Sequence, residues 1–147
     1  MNTRVLVIAV VCCVLTGCAT APPRVQHLNS GKLPTGTPFS EAVRVGSTLY
    51  LRGMLGSPVG AGKLVPGGIK EETRQTMDNL KALLEANDYA MSDLVKCTVM
   101  LVDMTEFGAF NDVYRTYFKD HFPARTSLGV TGLALGARVE VECIAAK

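Results

Sequence analysis

The sequence contains no tryptophan and only two histidines, His27 and His121. They are far apart in the chain, and neither belongs to a spaced cluster with cysteines or carboxylates, which argues against a zinc site. The scarcity of histidine also argues against the Ser-His and Cys-His pairs of nucleophilic enzymes. We therefore expect no metal site and no nucleophile activated by histidine.

The chain also lacks an excess of charge of one sign. Lysine and arginine number 15 and aspartate and glutamate 13, so the net charge is +2. A protein that binds nucleic acid electrostatically needs a clustered basic surface. The near-balance of charge therefore argues against a nucleic-acid partner.

No uncharged run near the start is long enough to cross a membrane. Residues 5–16 carry no charge and follow Arg4, and a helix of this length covers about 18 Å of a hydrocarbon core of about 30 Å. A cation, a short apolar core and a small-residue exit are typical of a removable signal peptide. An uncleaved membrane anchor, or an ordinary signal that happens to end near a cysteine, are the alternatives.

The exit Leu15-Thr16-Gly17-Cys18 resembles the lipobox of bacterial lipoproteins. This resemblance implies cleavage before Cys18, lipidation of Cys18 and a membrane anchor in the cell envelope, since several acyl chains anchor a protein stably. Ala19, in place of an aspartate, favours the outer membrane, facing the periplasm. We accordingly divide the chain into a signal peptide at 1–17, a lipidated tether at 18–38 and a domain at 39–147. Within the tether, residues 25–28 have the pattern of an edge strand.

Five cysteines are present, but only two belong to the predicted domain. Cys12 and Cys13 leave with the signal and Cys18 carries lipid, which leaves Cys97 and Cys143. An oxidising compartment would permit a disulfide between them. Because each lies in an apolar, strand-like run, we expect two buried free thiols instead.

The hydrophobic pattern of the remaining chain predicts alternating strands and helices. Alternation around Gly46-Ser47 predicts a hairpin over 41–51, and helical spacing predicts helices over 69–86 and 107–118. Short apolar runs predict strands over 95–102, 126–131 and 138–145. The order β-β-α-β-α-β-β indicates an α+β two-layer sandwich. Helices on one face leave the other face of the sheet uncovered, which predicts an oligomer.

Two charged features suggest a binding site. Arg125 follows Phe122-Pro123-Ala124 at the start of a strand, where its planar guanidinium can grip a carboxylate or serve as a structural ion-pair partner. Glu140 and Glu142 point to the same side of the last strand. They are solvated if that face is open, and at least one needs a partner if a second subunit covers it.

Five segments occur in order along the chain: RQTMDNLK at 74–81, VKCTV at 95–99, NDVY at 111–114, FPAR at 122–125 and VEVECIA at 139–145. Together they resemble, over residues 72–145, the RidA/YjgF family of reactive-imine deaminases. This resemblance implies a chorismate-mutase-like fold, a homotrimer with sites between subunits, and cofactor-free hydrolysis of 2-imino acids such as 2-iminopropanoate and 2-iminobutanoate. The alternative is a non-catalytic trimeric lipoprotein that binds small carboxylates through Arg125.

The resemblance also implies roles for individual residues. Arg125 would bind the substrate carboxylate and Glu140 the attacking water, while Asn111 would line the cleft and Ser127 would act mainly through its backbone. Two further positions depart from the family. Phe39 lies in a segment where members have tyrosine, and Arg52 precedes the retained Gly53 where members have serine. Arg52 would pair with Glu140, add an anion contact or exclude small imines.

Lipidation of Cys18 predicts a specific processing step. Blocking lipoprotein signal peptidase in cells should leave a precursor that retains residues 1–17 and is larger by that mass. The measurement is intact mass of the membrane fraction with and without the inhibitor. An unchanged mass would rule out cleavage at Cys18.

Overall fold

A computed structural model describes Pro22 and residues 24–147 of the chain. The predicted signal segment and Cys18 lie outside these residues. Within the described part of the chain, no helix combines the length and the apolar character needed to cross a bilayer.

The described chain forms seven strands and two α-helices. In chain order these are β1 (Val25–Leu28), β2 (Ala42–Val45), β3 (Thr48–Leu51), β4 (Met54–Leu55), α1 (Gly68–Glu85), β5 (Leu94–Leu101), α2 (Phe107–Tyr114), β6 (Ala124–Gly129) and β7 (Val139–Ala146). Four short 3₁₀ turns lie at Met91–Asp93, Met104–Glu106, Arg115–Tyr117 and Ala134–Gly136.

All seven strands belong to one sheet. Its order is β1-β2-β3-β7-β5-β6, with β4 pairing separately with β7. Every pairing is antiparallel except that of β5 with β6. The predicted α+β two-layer fold is confirmed. β1 lies at the sheet edge within the segment predicted to be a tether, and β4 is a two-residue strand that the pattern did not indicate.

Both predicted helices are present and pack on one face of the sheet. Helix α1 buries Met77, Leu80 and Leu84 completely, in one core with Val99 and Val141 of the sheet. Helix α2 ends at Tyr114 rather than at residue 118, because its last turn tightens into the 3₁₀ turn Arg115–Tyr117. The amphipathic spacing therefore located the helices and their buried faces.

The opposite face of the sheet, called the open face below, carries no helix formed by the described residues. On β7, Val139, Val141 and Cys143 are buried towards the helices, whereas Glu140 and Glu142 point to the open face, as predicted. This face also holds apolar side chains that are about half exposed: Val25 (54%), Tyr50 (47%) and Leu128 (47%). These residues favour coverage of the open face by another protein surface.

The expectation of two free thiols was wrong. Cys97 and Cys143 face each other in register across β5 and β7 and form a disulfide, with their Cα atoms 4.1 Å apart. Directly opposed residues are the nearest neighbours across an antiparallel pair, and two opposed cysteines on closely spaced strands can bring their sulfurs into bonding distance. The sequence showed that both cysteines lie in apolar strands, but it did not show that these strands pair with the two cysteines opposite each other.

The disulfide predicts a large difference in stability between the oxidised and reduced protein. A cross-link that closes a chain segment of this length should contribute about 2–4 kcal/mol to the free energy of unfolding. Urea titrations of the wild type, with and without reductant, should therefore differ, and the double variant Cys97→Ala, Cys143→Ala should be insensitive to reductant. Two alkylatable thiols in unfolded protein purified without reductant would contradict the pairing.

Candidate functional site

Arg125 lies in the second position of β6, directly opposite Cys97 of β5. Because Cys97 is buried under the helices, Arg125 points to the same face, towards α2. Its guanidinium carbon lies 4.7 Å from the ring centre of Tyr114, 5.4 Å from that of Phe107 and 5.7 Å from that of Phe110. Three aromatic faces therefore hold this cation in place.

The Arg125 guanidinium has no acidic partner in the part of the chain that the structure describes. Among the residues that the structure describes, no carboxylate oxygen lies within 4.0 Å of it. The interpretation of Arg125 as a structural ion-pair residue is therefore not supported within a single chain. The positive charge of Arg125 is therefore available to bind an anionic ligand.

Arg125 opens onto a cavity of about 450 Å³ between α2 and the start of β6. The cavity is lined by Asn111, Tyr114, Arg115, Phe122, Pro123 and Arg125. The structure thus brings together two of the predicted site residues, Arg125 and Asn111. A volume of this size falls within the range of small-molecule sites.

Tyr114 contributes a buried polar group to this cavity. Its side chain is only 3% exposed, and its hydroxyl lies beside the Arg125 guanidinium without a hydrogen bond of full geometry to any described residue. Burial raises the pKa of the Tyr114 phenol, and the positive charge of Arg125 and its polar contact with the hydroxyl oppose that rise. The hydroxyl is therefore neutral at physiological pH and can donate a hydrogen bond to a ligand.

Glu140 lies on the open face against the backbone of Gly53. A Cβ atom added to Gly53 would lie 1.9 Å from Oε1 of Glu140, so only glycine permits the observed position of this carboxylate. Partial burial raises the pKa of the Glu140 carboxyl, the charge of Glu142 raises it further, and the Arg52 guanidinium opposes both. A raised pKa suits a carboxylate that accepts a proton during a reaction.

Arg52 lies beside Glu140 without forming an ion pair. No carboxylate of the described chain lies within 4.0 Å of its guanidinium, which donates from Nη1 to the Gly53 carbonyl oxygen at 3.0 Å and lies 5.9 Å from the Phe39 ring centre. Burial lowers the pKa of Arg52, whereas the negative charges of Glu41 and Glu140 oppose that change. Arg52 thus belongs to the Glu140 side of the molecule.

A single chain does not place Arg125 and Glu140 in one pocket. Arg125 and Ser127 are opposite Cys97 and Val99, whose side chains point to the helices, whereas Glu140 is opposite Met100 on the open face. The predicted residues therefore form two groups on opposite faces of the sheet. Arg125, Asn111 and Ser127 belong to the α2 side, and Glu140, Gly53, Arg52 and Phe39 to the open side.

The structure adds residues that the sequence analysis did not assign to a site. Tyr114 and Arg115 follow Asn111 by three and four positions, the spacing that places them on one helix face, and Phe122 precedes Pro123. This spacing is the signal that would have found the first two. No three histidine, cysteine, aspartate or glutamate side chains in the described part of the chain are arranged to hold a metal ion.

The contact of Gly53 with Glu140 yields a testable consequence. Gly53→Ala should push the Glu140 carboxylate into solvent and lower its pKa towards the ordinary value, since burial is the main reason that this pKa is raised. Titration of the Glu140 side-chain carbon by NMR measures the change. Gly108→Ala is the matched control, because a Cβ there meets nothing within 4 Å. Equal pKa values in wild type and Gly53→Ala would contradict the contact.

Comparison with known proteins gives consistent results. The family model described as endoribonuclease L-PSP matches residues 30–147. A protein of the goat Capra hircus named 2-iminobutanoate/2-iminopropanoate deaminase is 43% identical over 119 residues, which cover 80% of this chain and 87% of that protein.

Solved structures agree with the sequence matches. The crystal structure of RidA from an Antarctic Psychrobacter is similar with a TM-score of 0.76 at 33% identity, covering 83% of this chain and 99% of that one. The YjgF gene product of E. coli gives a TM-score of 0.75 at 28% identity, covering 83% of this chain and 98% of that one. The match to the family model, the sequence identity with relatives and the shared fold all agree. The chain belongs to the RidA/YjgF family, the family whose model is described as endoribonuclease L-PSP.

Proposed function

We propose that this protein hydrolyses reactive 2-imino acids and their enamine forms to 2-oxo acids and ammonia without a cofactor. The observation that carries the proposal is the Arg125 guanidinium, which three aromatic rings hold at the wall of a cavity without an acidic partner in the described chain. The printed name of the goat relative, a 2-iminobutanoate/2-iminopropanoate deaminase, supports the same reaction.

The complete site requires a second copy of the chain. Arg125 and Glu140 lie on opposite faces of one sheet, so a cleft that contains both must combine the α2 side of one subunit with the open face of another. Strand β6 is the last in the sheet order and presents an unpaired edge. Its half-exposed Leu128 and the half-exposed Tyr50 and Val25 of the open face supply apolar surface for such a contact. We propose a homotrimer with three clefts, each formed by the α2 side of one subunit and the open face of its neighbour.

The reaction needs positioning more than covalent help. Arg125 binds the substrate carboxylate through two parallel hydrogen bonds, and Asn111 and the backbone at Ser127 line the bound molecule. Glu140 orients a water and accepts its proton as the oxygen attacks the electrophilic imine carbon. Glu140 then returns the proton to the nitrogen of the resulting carbinolamine, which leaves as ammonia while the hydroxyl group loses its proton and becomes the carbonyl of the 2-oxo acid. One water is consumed and no oxidant is needed.

The second candidate function is binding of small carboxylates without turnover, in a trimeric lipoprotein. Two departures from the family pattern near Glu140, at Arg52 and Phe39, favour this second function. Arg52 places a cation beside the carboxylate that would handle the water, and Phe39 lacks the hydroxyl of the tyrosine that the family resemblance places in this segment. The Arg125 side would still bind a carboxylate in this case.

We also propose that the protein is exported and held in the cell envelope, in the outer membrane facing the periplasm, by lipid on Cys18. The buried Cys97–Cys143 disulfide supports export, because disulfides form and persist in oxidising compartments. The signal-like residues 1–17 supply the proposed address.

An imine-hydrolysis assay tests the proposed reaction. With 2-aminoacrylate generated in situ, the wild type should accelerate the release of pyruvate. Loss of a bidentate contact to a charged group should lower kcat/KM of Arg125→Ala by about a hundredfold, from about 3 kcal/mol of lost binding. Arg74→Ala is the matched control, since the Arg74 side chain is half exposed on α1 and outside the cavity.

The same variants separate the two candidate functions. If the wild type gives no acceleration but binds 2-oxobutanoate in calorimetry, and Arg125→Ala does not, the protein is a carboxylate binder. Equal activity of Arg125→Ala and Arg74→Ala would refute the role of Arg125.

A further inference from the structure

The cavity beside Arg125 holds a second guanidinium. Arg115 begins the 3₁₀ turn that follows α2, and its side chain is exposed at the cavity wall. Its Nε donates to the Asn111 carbonyl oxygen at 3.1 Å, which anchors the side chain to the helix. Its two terminal nitrogens make no hydrogen bond and no ion pair within the described chain. Arg115 therefore presents donors to the cavity in a restrained position.

Among the described residues, no acidic side chain lines the cavity beside these two cations. The cavity lining contains Arg115 and Arg125 but neither aspartate nor glutamate. The Asn111 side-chain amide also makes no hydrogen bond to another described residue, and the Tyr114 hydroxyl is buried beside the Arg125 guanidinium. A wall with two positive charges and several unused hydrogen-bonding groups is suited to a ligand with two negative charges.

Arg52, another guanidinium without an ion pair among the described residues, does not offer the same site. Arg52 lies near Glu41 and Glu140, whose charges oppose the lowering of its pKa. Two carboxylates beside one guanidinium leave no surplus positive charge there. The surplus of positive charge that suits a ligand with two negative charges therefore lies at the Arg115–Arg125 cavity and not at Arg52.

We propose that this cavity binds small dicarboxylates, with Arg125 holding the carboxylate next to the reacting carbon and Arg115 holding the distal one. The inference rests on the proposed function and adds to it a preference for short-chain 2-imino dicarboxylic acids over monocarboxylic ones. The name of the goat relative refers to monocarboxylates, so the substrates inferred for this cavity carry one carboxylate more than those in that name. A volume of about 450 Å³ leaves room for both groups.

Stable 2-oxo acids test this site without requiring turnover. In calorimetry on the full-length protein, 2-oxoglutarate should bind about tenfold more tightly than 2-oxobutanoate, because it makes one more charge-assisted contact. Added salt should reduce this preference, because Arg115 is exposed and its charge is screened. Arg115→Gln should bring the ratio of the two dissociation constants close to one.

A charge-matched control separates the local contact from net charge. Lys70→Gln also removes one exposed cation, but Lys70 lies on α1 outside the cavity, so both dissociation constants should stay as in the wild type. A ratio near one in the wild type, or an unchanged ratio in Arg115→Gln, would overturn the dicarboxylate site.

Turnover measurements distinguish failure of this inference from failure of the proposed reaction. Oxidation of L-glutamate and of 2-aminobutanoate by amino-acid oxidases supplies 2-iminoglutarate and 2-iminobutanoate. Equal kcat/KM for both imines would support the deaminase and refute the dicarboxylate preference. Tight, Arg115-dependent binding of 2-oxoglutarate without hydrolysis of either imine would support the site and refute the deaminase.

Discussion

The pairing of β5 with both β7 and β6 is the constraint on which the candidate site depends. Cys97 lies opposite Cys143 on one side and opposite Arg125 on the other. Since side chains alternate along a strand, this register sends Arg125 under α2 and Glu140 to the open face. A shift of one residue would reverse both, because every side chain would move to the other face. The disulfide holds the β5–β7 part of this register covalently.

Helix α2 determines the electrostatic character of the site. Its aromatic residues serve two purposes, since Phe110 and Tyr114 are part of the core and also lie against the Arg125 guanidinium. Rings stabilise a cation without neutralising its charge, in contrast to a carboxylate partner. Arg125 is therefore fixed in position and remains available to an anion. Arg115, which directly follows α2 in the chain, adds a second positive charge to the wall of the same cavity.

The prediction of the fold from the sequence was accurate where the signal was local. The helices at α1 and α2, the hairpin of β2 and β3 and the alternation of β7 follow from spacing and turn residues in short windows. The two-residue strand β4 was not indicated, because so short a strand carries no period. The prediction of free thiols at Cys97 and Cys143 was wrong. The two cysteines are 46 residues apart in the chain, and only the pairing of their strands places them opposite each other.

For the site, the sequence by itself identified the residue types with chemical capacity, namely Arg125, Asn111 and Glu140, through motifs that act over a few positions. The sequence by itself also showed the signal-like pattern of residues 1–17. Only the tertiary structure decided which of these groups meet. It placed Arg125 with Asn111, Tyr114 and Arg115 around one cavity, and it put Glu140 on the far side of the sheet. The physical reason is that contacts across a sheet depend on register and on which face a helix covers, and neither is encoded in any short segment.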